Sequence, residues 1–342
     1  MAKILHRSNA NRDYHNLKKH WEIIKMKQYI NSGNKDTRSG FGAGLAELGR
    51  TNPKVVALCA DLIGSLKMDE FAKEHPERFF QSGIAEANMI GVAAGLAISG
   101  YIPFAGTFAN FATARVYDQI RQSVCYSKTN VKIAASHAGI TLGEDGATHQ
   151  TMEDIGLMRM LPEMVVINPC DYNQTKAATI AAAYHDGPVY LRFGRPGVPN
   201  FTPDNQPFEI GKAIKLNDGH HVTVIATGHL VWEAIKAAEI LEDKGITVDL
   251  LNIHTIKPLD EKAVLQSVAK THCVVCAEEH LIAGGLGEAV AGLLVRNNPV
   301  PMRFVAVDDK FGQSGKPAQL MEAYGLDAAH IVTAAQQLTS AK

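Results

Sequence analysis

Short apolar runs rich in β-branched residues, recurring with helix-length segments between them, constrain this chain more than any other feature. KVVALCAD (54–61), VKIAASHAG (131–139), MVVINPCD (164–171) and VYLRFG (189–194) form one series; HVTVIATG (221–228), TVDLLNIHTIKPLD (247–260), HCVVCAEEH (272–280) and MRFVAVDD (302–309) form a second. Runs this continuously apolar suit strands buried on both faces, and helices between them make the sheets mostly parallel. VPNFTPDNQPFEIG (198–211), with its three prolines, is the break between the series. The expected fold class is α/β: two tandem three-layer α/β domains with mostly parallel sheets, at 36–203 and 204–342, a division that suits a chain of 342 residues. Ahead of them, 1–35 reads as an N-terminal helical extension, with Leu17, Trp21 and Ile24 at helical spacing over 14–30 and a polar break at NSGNKD (31–36).

A formal charge of −1 and a pI near 6.9 provide no basic surface for phosphate backbones, so nucleic acid and anionic membrane are not expected partners. The N-terminus lacks the apolar core of a signal peptide, and no 18-residue uncharged apolar run suits a membrane span; cytoplasm is the expected location. Cys59, Cys125, Cys170, Cys273 and Cys276 are scattered, mostly in apolar runs, as suits reduced buried thiols. Cys273 and Cys276 have CxxC spacing but lie within an expected strand and lack a second pair to complete a zinc site; no metal is assigned to this chain.

In open α/β sheets ligands collect beyond the carboxyl ends of the strands, so the polar residues that follow each run are the informative ones. Asp61 and Ser65 follow the first, His137 and LGEDGATHQ (142–150) the second, and Arg195 the last of the first series. Converging Arg, His and Ser suit a small anionic group, although each could instead cap a helix or close a loop. The stretch SGIAEANMIGVAAGLAISG (82–100) poses a sharper problem: Glu86 is its one charged residue. A buried carboxylate without a partner is costly. Either Arg115, Arg121 or a backbone amide satisfies it, or it stands exposed at a helix start, or it meets an uncharged ring nitrogen of a ligand.

GIAEANMIGVAAGLA, GTFANFATARVYDQIR (106–121), SHAGITLGEDGATHQ (136–150) and YLRFGRPGVP (190–199), in that order, resemble the pyrimidine-binding domain of transketolases, and the chain after 205 resembles their C-terminal domain. The resemblance implies thiamine diphosphate as cofactor. Glu86 matches the glutamate that contacts the aminopyrimidine and promotes its imino tautomer. Phe108 and Phe111 match the aromatics packing that ring; the third aromatic of the family is Ala114 here, so that wall is completed otherwise or is looser. Arg38, Ser65, His137 and Arg195 match the grip on a substrate's terminal phosphate, and Asp145 and His149 match the groups near its hydroxyls and reacting carbon.

A complete transketolase also has a diphosphate-binding domain, and this chain offers no equivalent. GEDG at 143–146 with Asn173 imitates the GDG…N metal and diphosphate motif but has Glu144 in place of the leading Gly, and AGGLGEAV (283–290) lacks the last glycine of a dinucleotide fingerprint; close packing of helix on strand is the expected use of the latter. The resemblance therefore implies a split enzyme. An N-terminal transketolase subunit supplies the diphosphate half and its Mg2+ or Ca2+, two copies of each chain make a heterotetramer, and the N-terminal helix docks on that partner or on its own domains. The expected reaction is transfer of a two-carbon ketol unit between sugar phosphates. A 1-deoxyxylulose-5-phosphate synthase-like enzyme, a 2-oxo-acid dehydrogenase β subunit and a non-catalytic scaffold subunit are the alternatives. Glu278, Glu279 and His280, at a strand end of the second series, read as a solvated loop more readily than as a site.

Overall fold

The computed structural model describes residues 28–340. Its strands are β1 (Asn34–Asp36), β2 (Val55–Cys59), β3 (Phe79–Gln81), β4 (Ile102–Phe108), β5 (Lys132–Ser136), β6 (Val165–Ile167), β7 (Val189–Arg192), β8 (Gly197–Pro199), β9 (Ile214–Asp218), β10 (Val222–Ala226), β11 (Val248–Asn252), β12 (Thr255–Lys257), β13 (Val274–Leu281) and β14 (Met302–Val307). A seven-stranded sheet runs β12-β6-β7-β5-β4-β2-β3, parallel except at β12, and a five-stranded sheet runs β14-β13-β10-β11-β9, parallel except at β9. This is a pair of α/β units of the expected class.

The apolar runs work as strands because alternate residues feed different cores. Val55, Ala57 and Cys59 of β2 face the helices Thr37–Thr51 and Tyr172–Tyr184, whereas Leu58 faces the layer built from the helices Glu86–Ile98 and Asp154–Met160. Helix Thr37–Thr51 lies unusually close to Tyr172–Tyr184 because Gly40 and Gly44 face it: a Cβ on Gly40 would collide with the Tyr172 carbonyl, and one on Gly44 would come within 2.8 Å of Thr179 Cβ.

Two features depart from the sequence reading. The run 247–260 holds two strands: β11 stays in the five-stranded sheet, while β12 crosses over and pairs antiparallel with β6. Ile253, Ile256 and Leu251 consequently share one apolar cluster with Val166, Tyr190 and Met158, so the core is continuous across the two sheets. Most of the helix expected over 14–30 lies outside the described residues, but 28–33 are not helical. There the chain is held against the two domains, with the Tyr29 hydroxyl donating to the Leu216 carbonyl, its ring edge-on to Phe201, and Ser32 bonded to Asn200.

Candidate functional site

The carboxyl ends of β4 and β5 bring the main elements together. Phe108 closes β4 and Phe111 follows one helical turn on, their rings stacked at 5.9 Å and 19°. His137, immediately after β5 and held at φ 58, lies flat on Phe108 with ring centroids 3.9 Å apart. His149 meets both phenylalanines edge-on, at 6.5 Å from Phe108 and 5.5 Å from Phe111. Its loop is tethered to the aromatic turn by Asn110, whose Nδ2 donates to the Thr148 carbonyl at 2.7 Å.

Arg38 reaches the same place from the first turn of its helix, which Asp36 caps by accepting from the Ser39 amide. One Arg38 nitrogen donates to the Ser65 carbonyl at 3.1 Å and stands 3.5 Å from His137 Nε2. A guanidinium can only donate, so Nε2 is the acceptor and Nδ1 carries the proton given to Ser136 Oγ, 2.8 Å away. Burial, then the charges of Arg38 and Arg195, push the His137 pKa down to about 3, so the ring is neutral. Arg195 donates to the Leu142 carbonyl at 2.7 Å and pairs with Glu144 at 3.1 Å, and Asp145 stands exposed next to Glu144.

Glu86 is the first residue of the helix Glu86–Ile98, where the positive end of the helix dipole favours a carboxylate. Its side chain is 4% exposed, so the exposed helix start considered above is not what forms. It accepts instead from Arg115, 3.0 Å away, one of the in-chain partners anticipated for it. Arg115 is itself 50% exposed, and its guanidinium lies over the Phe111 ring at 4.2 Å. Glu86 is thereby joined to the aromatic pair and, through it, to His137, His149, Arg38 and the Ser65 carbonyl, which form one polar and aromatic wall, while Arg195 and Asp145 make no direct contact with the aromatic pair. Ala114, in place of a third aromatic, is exposed.

The buried carboxylate, the flat aromatic faces beside it and the neutral histidine fit an uncharged nitrogen heterocycle, so the residues present suit the aminopyrimidine half of thiamine diphosphate. Elsewhere, Asn173 bonds to the Thr202 carbonyl and serves the helix it sits on. Among the described residues no group of three or more His, Cys, Asp or Glu is placed to hold a metal ion, and none of their helices is long and apolar enough to cross a membrane.

One sequence expectation is corrected. Glu278, Glu279 and His280 are fully buried inside β13 and are no solvated loop, because the first domain supplies partners for Glu279 and His280 and a neighbouring helix start supplies them for Glu278. Glu279 accepts from the Thr141 amide at 2.7 Å and faces His229; against the cost of burial, His229, Arg192 and that amide hold its pKa low. Gly139, at φ +84, leaves the room, since a Cβ there would strike the Glu279 carboxylate. Glu278 takes the amides of Leu286 and Gly287 at the N-terminus of the helix Leu286–Asn297, so the glycine-rich AGGLGEAV turn binds a carboxylate of its own chain. Sequence reasoning gave the loop 137–150 no such support; the charged triplet in an apolar run was the available signal.

Residues 34–200 match the family "Transketolase, pyrimidine binding domain" and residues 211–331 match "Transketolase, C-terminal domain". The chain belongs to the transketolase family. A "Putative transketolase C-terminal section" from Methanocaldococcus jannaschii is 48% identical over 297 residues, which is 86% of this chain and 93% of that protein. A "6-deoxy-6-sulfo-D-fructose transketolase subunit SqwH" from Clostridium sp. is 46% identical, covering 87% of this chain and 92% of its own. The solved structure "Split gene transketolase, inactive beta4 tetramer" superposes with a TM-score of 0.84 at 48% identity, over 89% of this chain and 98% of that one.

Proposed function

We propose that this chain is the C-terminal subunit of a thiamine-diphosphate-dependent transketolase, one that moves a two-carbon ketol unit from a ketose phosphate to an aldose phosphate. The observation that carries the reading is the buried Glu86 carboxylate beside the stacked Phe108 and Phe111, which makes one wall of a heterocycle site. Glu86 hydrogen-bonds the pyrimidine nitrogen, and Phe108 and Phe111 pack the ring. When bound, thiamine diphosphate supplies the nucleophile for the ketose carbonyl and the electron sink for the broken carbon–carbon bond. Arg38 and Arg195 bring the positive charge that a terminal phosphate requires, with Ser65 beside them and His137 as a neutral platform between Arg38 and Phe108. Asp145 and His149, on the loop facing the aromatic pair, orient the sugar hydroxyls and move protons at the reacting carbon.

The opposite wall belongs to a partner chain that carries the diphosphate-binding domain and its Mg2+ or Ca2+, in a heterotetramer of two and two. The names of the split relatives support that partition. So does the outward face of the helix Glu86–Ile98, where Ala87, Gly91, Val92, Gly95 and Ile98 are exposed, with Ile84 just ahead of them. Five buried cysteines, none in a disulfide, are in keeping with a cytoplasmic enzyme.

The test is to purify the chain with the polypeptide that stably associates with it and assay ketol transfer from xylulose 5-phosphate to ribose 5-phosphate with thiamine diphosphate and Mg2+. Glu86→Ala in that complex lowers turnover on the order of 100-fold or more. Near-normal rates in the variant reject the role of Glu86, and a complex that transfers no ketol unit between any sugar phosphates rejects the transketolase reading.

A further inference from the structure

The guanidinium of Arg115 is a flat, nitrogen-rich group with hydrogen-bond donors on its edge. It lies 4.2 Å over the Phe111 ring and donates to Glu86 at 3.0 Å. Those two contacts, a stack on an aromatic face and a donor to a buried carboxylate, are the two that an aminopyrimidine needs in the same place. A guanidinium imitates both, since it stacks as well as it pairs. Arg115 is also easy to move. It is half exposed, and it sits on a single tight turn, Ala114–Val116, between two short helices. Glu86, by contrast, is almost wholly enclosed and anchored in the first turn of a longer helix.

We propose that Arg115 is a further residue of the cofactor site, one that competes with the pyrimidine for Glu86 and Phe111 and is displaced when the cofactor enters. The proposal rests on the reading of Glu86 and Phe111 given above. In the chain without its cofactor, Arg115 neutralises a carboxylate that would otherwise stand buried and unpaired, and it covers an aromatic face that would otherwise be wet. When the ring arrives, the cation swings toward solvent, where its hydration offsets much of the lost pairing. Glu86, released from its counter-ion, is free to hydrogen-bond the ring nitrogen. Occupation by Arg115 also makes the pocket self-protecting, for no other planar group has access to Glu86 until something of equal stacking and bonding capacity replaces the guanidinium.

The experiment measures the affinity of the reconstituted two-chain complex for thiamine diphosphate in Mg2+, by calorimetry, for the native complex and for Arg115→Ala and Arg115→Met. Removing a half-exposed competitor of this kind tightens binding by about threefold to fivefold in both variants. Weaker binding in both overturns the proposal and makes Arg115 a permanent wall that stands in for the aromatic missing at Ala114; unchanged binding in both also overturns it. A Met that weakens while Ala tightens marks a clash of the new side chain, and the Ala result then decides. Glu86→Ala, assayed alongside for turnover, separates the two levels: lost turnover with indifferent Arg115 variants sinks this proposal alone, whereas retained turnover sinks the reading beneath it.

Discussion

The two sheets present their carboxyl ends in opposite ways. At the ends of β4, β5 and β7, Phe111, His149, Asp145, Arg195 and Arg115 keep partial or full access to solvent, and their bonds are few. At the end of β13, Glu278, Glu279 and His280 are sealed, and backbone amides of Thr141, Gly156, Leu286 and Gly287 occupy their acceptor atoms. Both rims collect acids, histidines and arginines, and by composition alone they are hard to tell apart. The difference is where the partner comes from. The first rim keeps side chains open to solvent; the second is closed partly by its own helix start and partly by the other domain, with Arg192 donating to the Glu279 carbonyl at 2.9 Å and Arg159 donating to the Gly285 carbonyl at 2.8 Å. In the proposed reading the first rim serves the chemistry, and the second holds the loop 137–150 in place through the bond from the Thr141 amide to Glu279.

The sharpest way to break this contrast is to remove an ion from the sealed rim. Asp154 is fully buried, accepts from Arg192 at 2.8 Å and from the Tyr190 hydroxyl at 2.7 Å, and balances a guanidinium that is 3% exposed. Asp154→Ala strands that cation, and a buried ion left unpaired costs about 3 to 5 kcal/mol. The expected outcome is a loss of that size in urea-induced unfolding. If the loss stays below about 1 kcal/mol, water reaches Arg192 and the seam is no seal.

Acid probes the same seam more gently. His280 Nδ1 donates to the Leu281 carbonyl and Nε2 accepts from the Gly156 amide at 3.2 Å, so a second proton would set one N–H against another. Burial pushes its pKa down to about 4. The unfolded chain binds this proton near 6.5 and the folded chain does not until about 4, so stability is complete above 6.5 and is lost as pH falls toward 4. The loss for this residue is of order 3 kcal/mol. His137, on the open rim, has its pKa lowered in the same direction. The contribution of His280 is therefore isolated by His280→Asn, whose unfolding midpoint in urea changes less between pH 7.5 and pH 5 than that of the native chain; equal changes in the two would place the acid sensitivity elsewhere.

Much of the open rim was legible in the sequence because the rule that reads it is local: a polar residue directly after an apolar run stands at a strand end. His137, Arg195 and the 142–150 loop were found that way. The sealed rim obeys no local rule. Charged triplets usually mean water, and Glu278-Glu279-His280 read as a loop because the partners of Glu279 and His280, namely Thr141, Gly156 and Arg192, lie more than a hundred residues away or close to it. The crossing of β12 was hidden for the same reason, since 247–260 contains no glycine to mark a break and only the antiparallel pairing with β6 divides it. Arg115 came to light as one of several cations available to Glu86; its stack on Phe111 required coordinates.

The smallest effect sought is also the most specific to the open rim. Arg38 contributes to its own domain one bond to the Ser65 carbonyl, a long contact with Asp36 at 3.4 Å and another with His137 at 3.5 Å, a modest set for a guanidinium with five donors. If its spare donors serve a substrate phosphate, as proposed, Arg38→Ala removes a charge-assisted contact worth about 1.5 to 3 kcal/mol and raises KM for the sugar phosphate by roughly 10- to 100-fold. Stability should change little by comparison with Asp154→Ala, because no buried ion is stranded. A substrate lacking the terminal phosphate supplies the discriminating control: its KM is insensitive to Arg38→Ala if the arginine reads the phosphate, and rises in parallel if Arg38 merely shapes the pocket around His137.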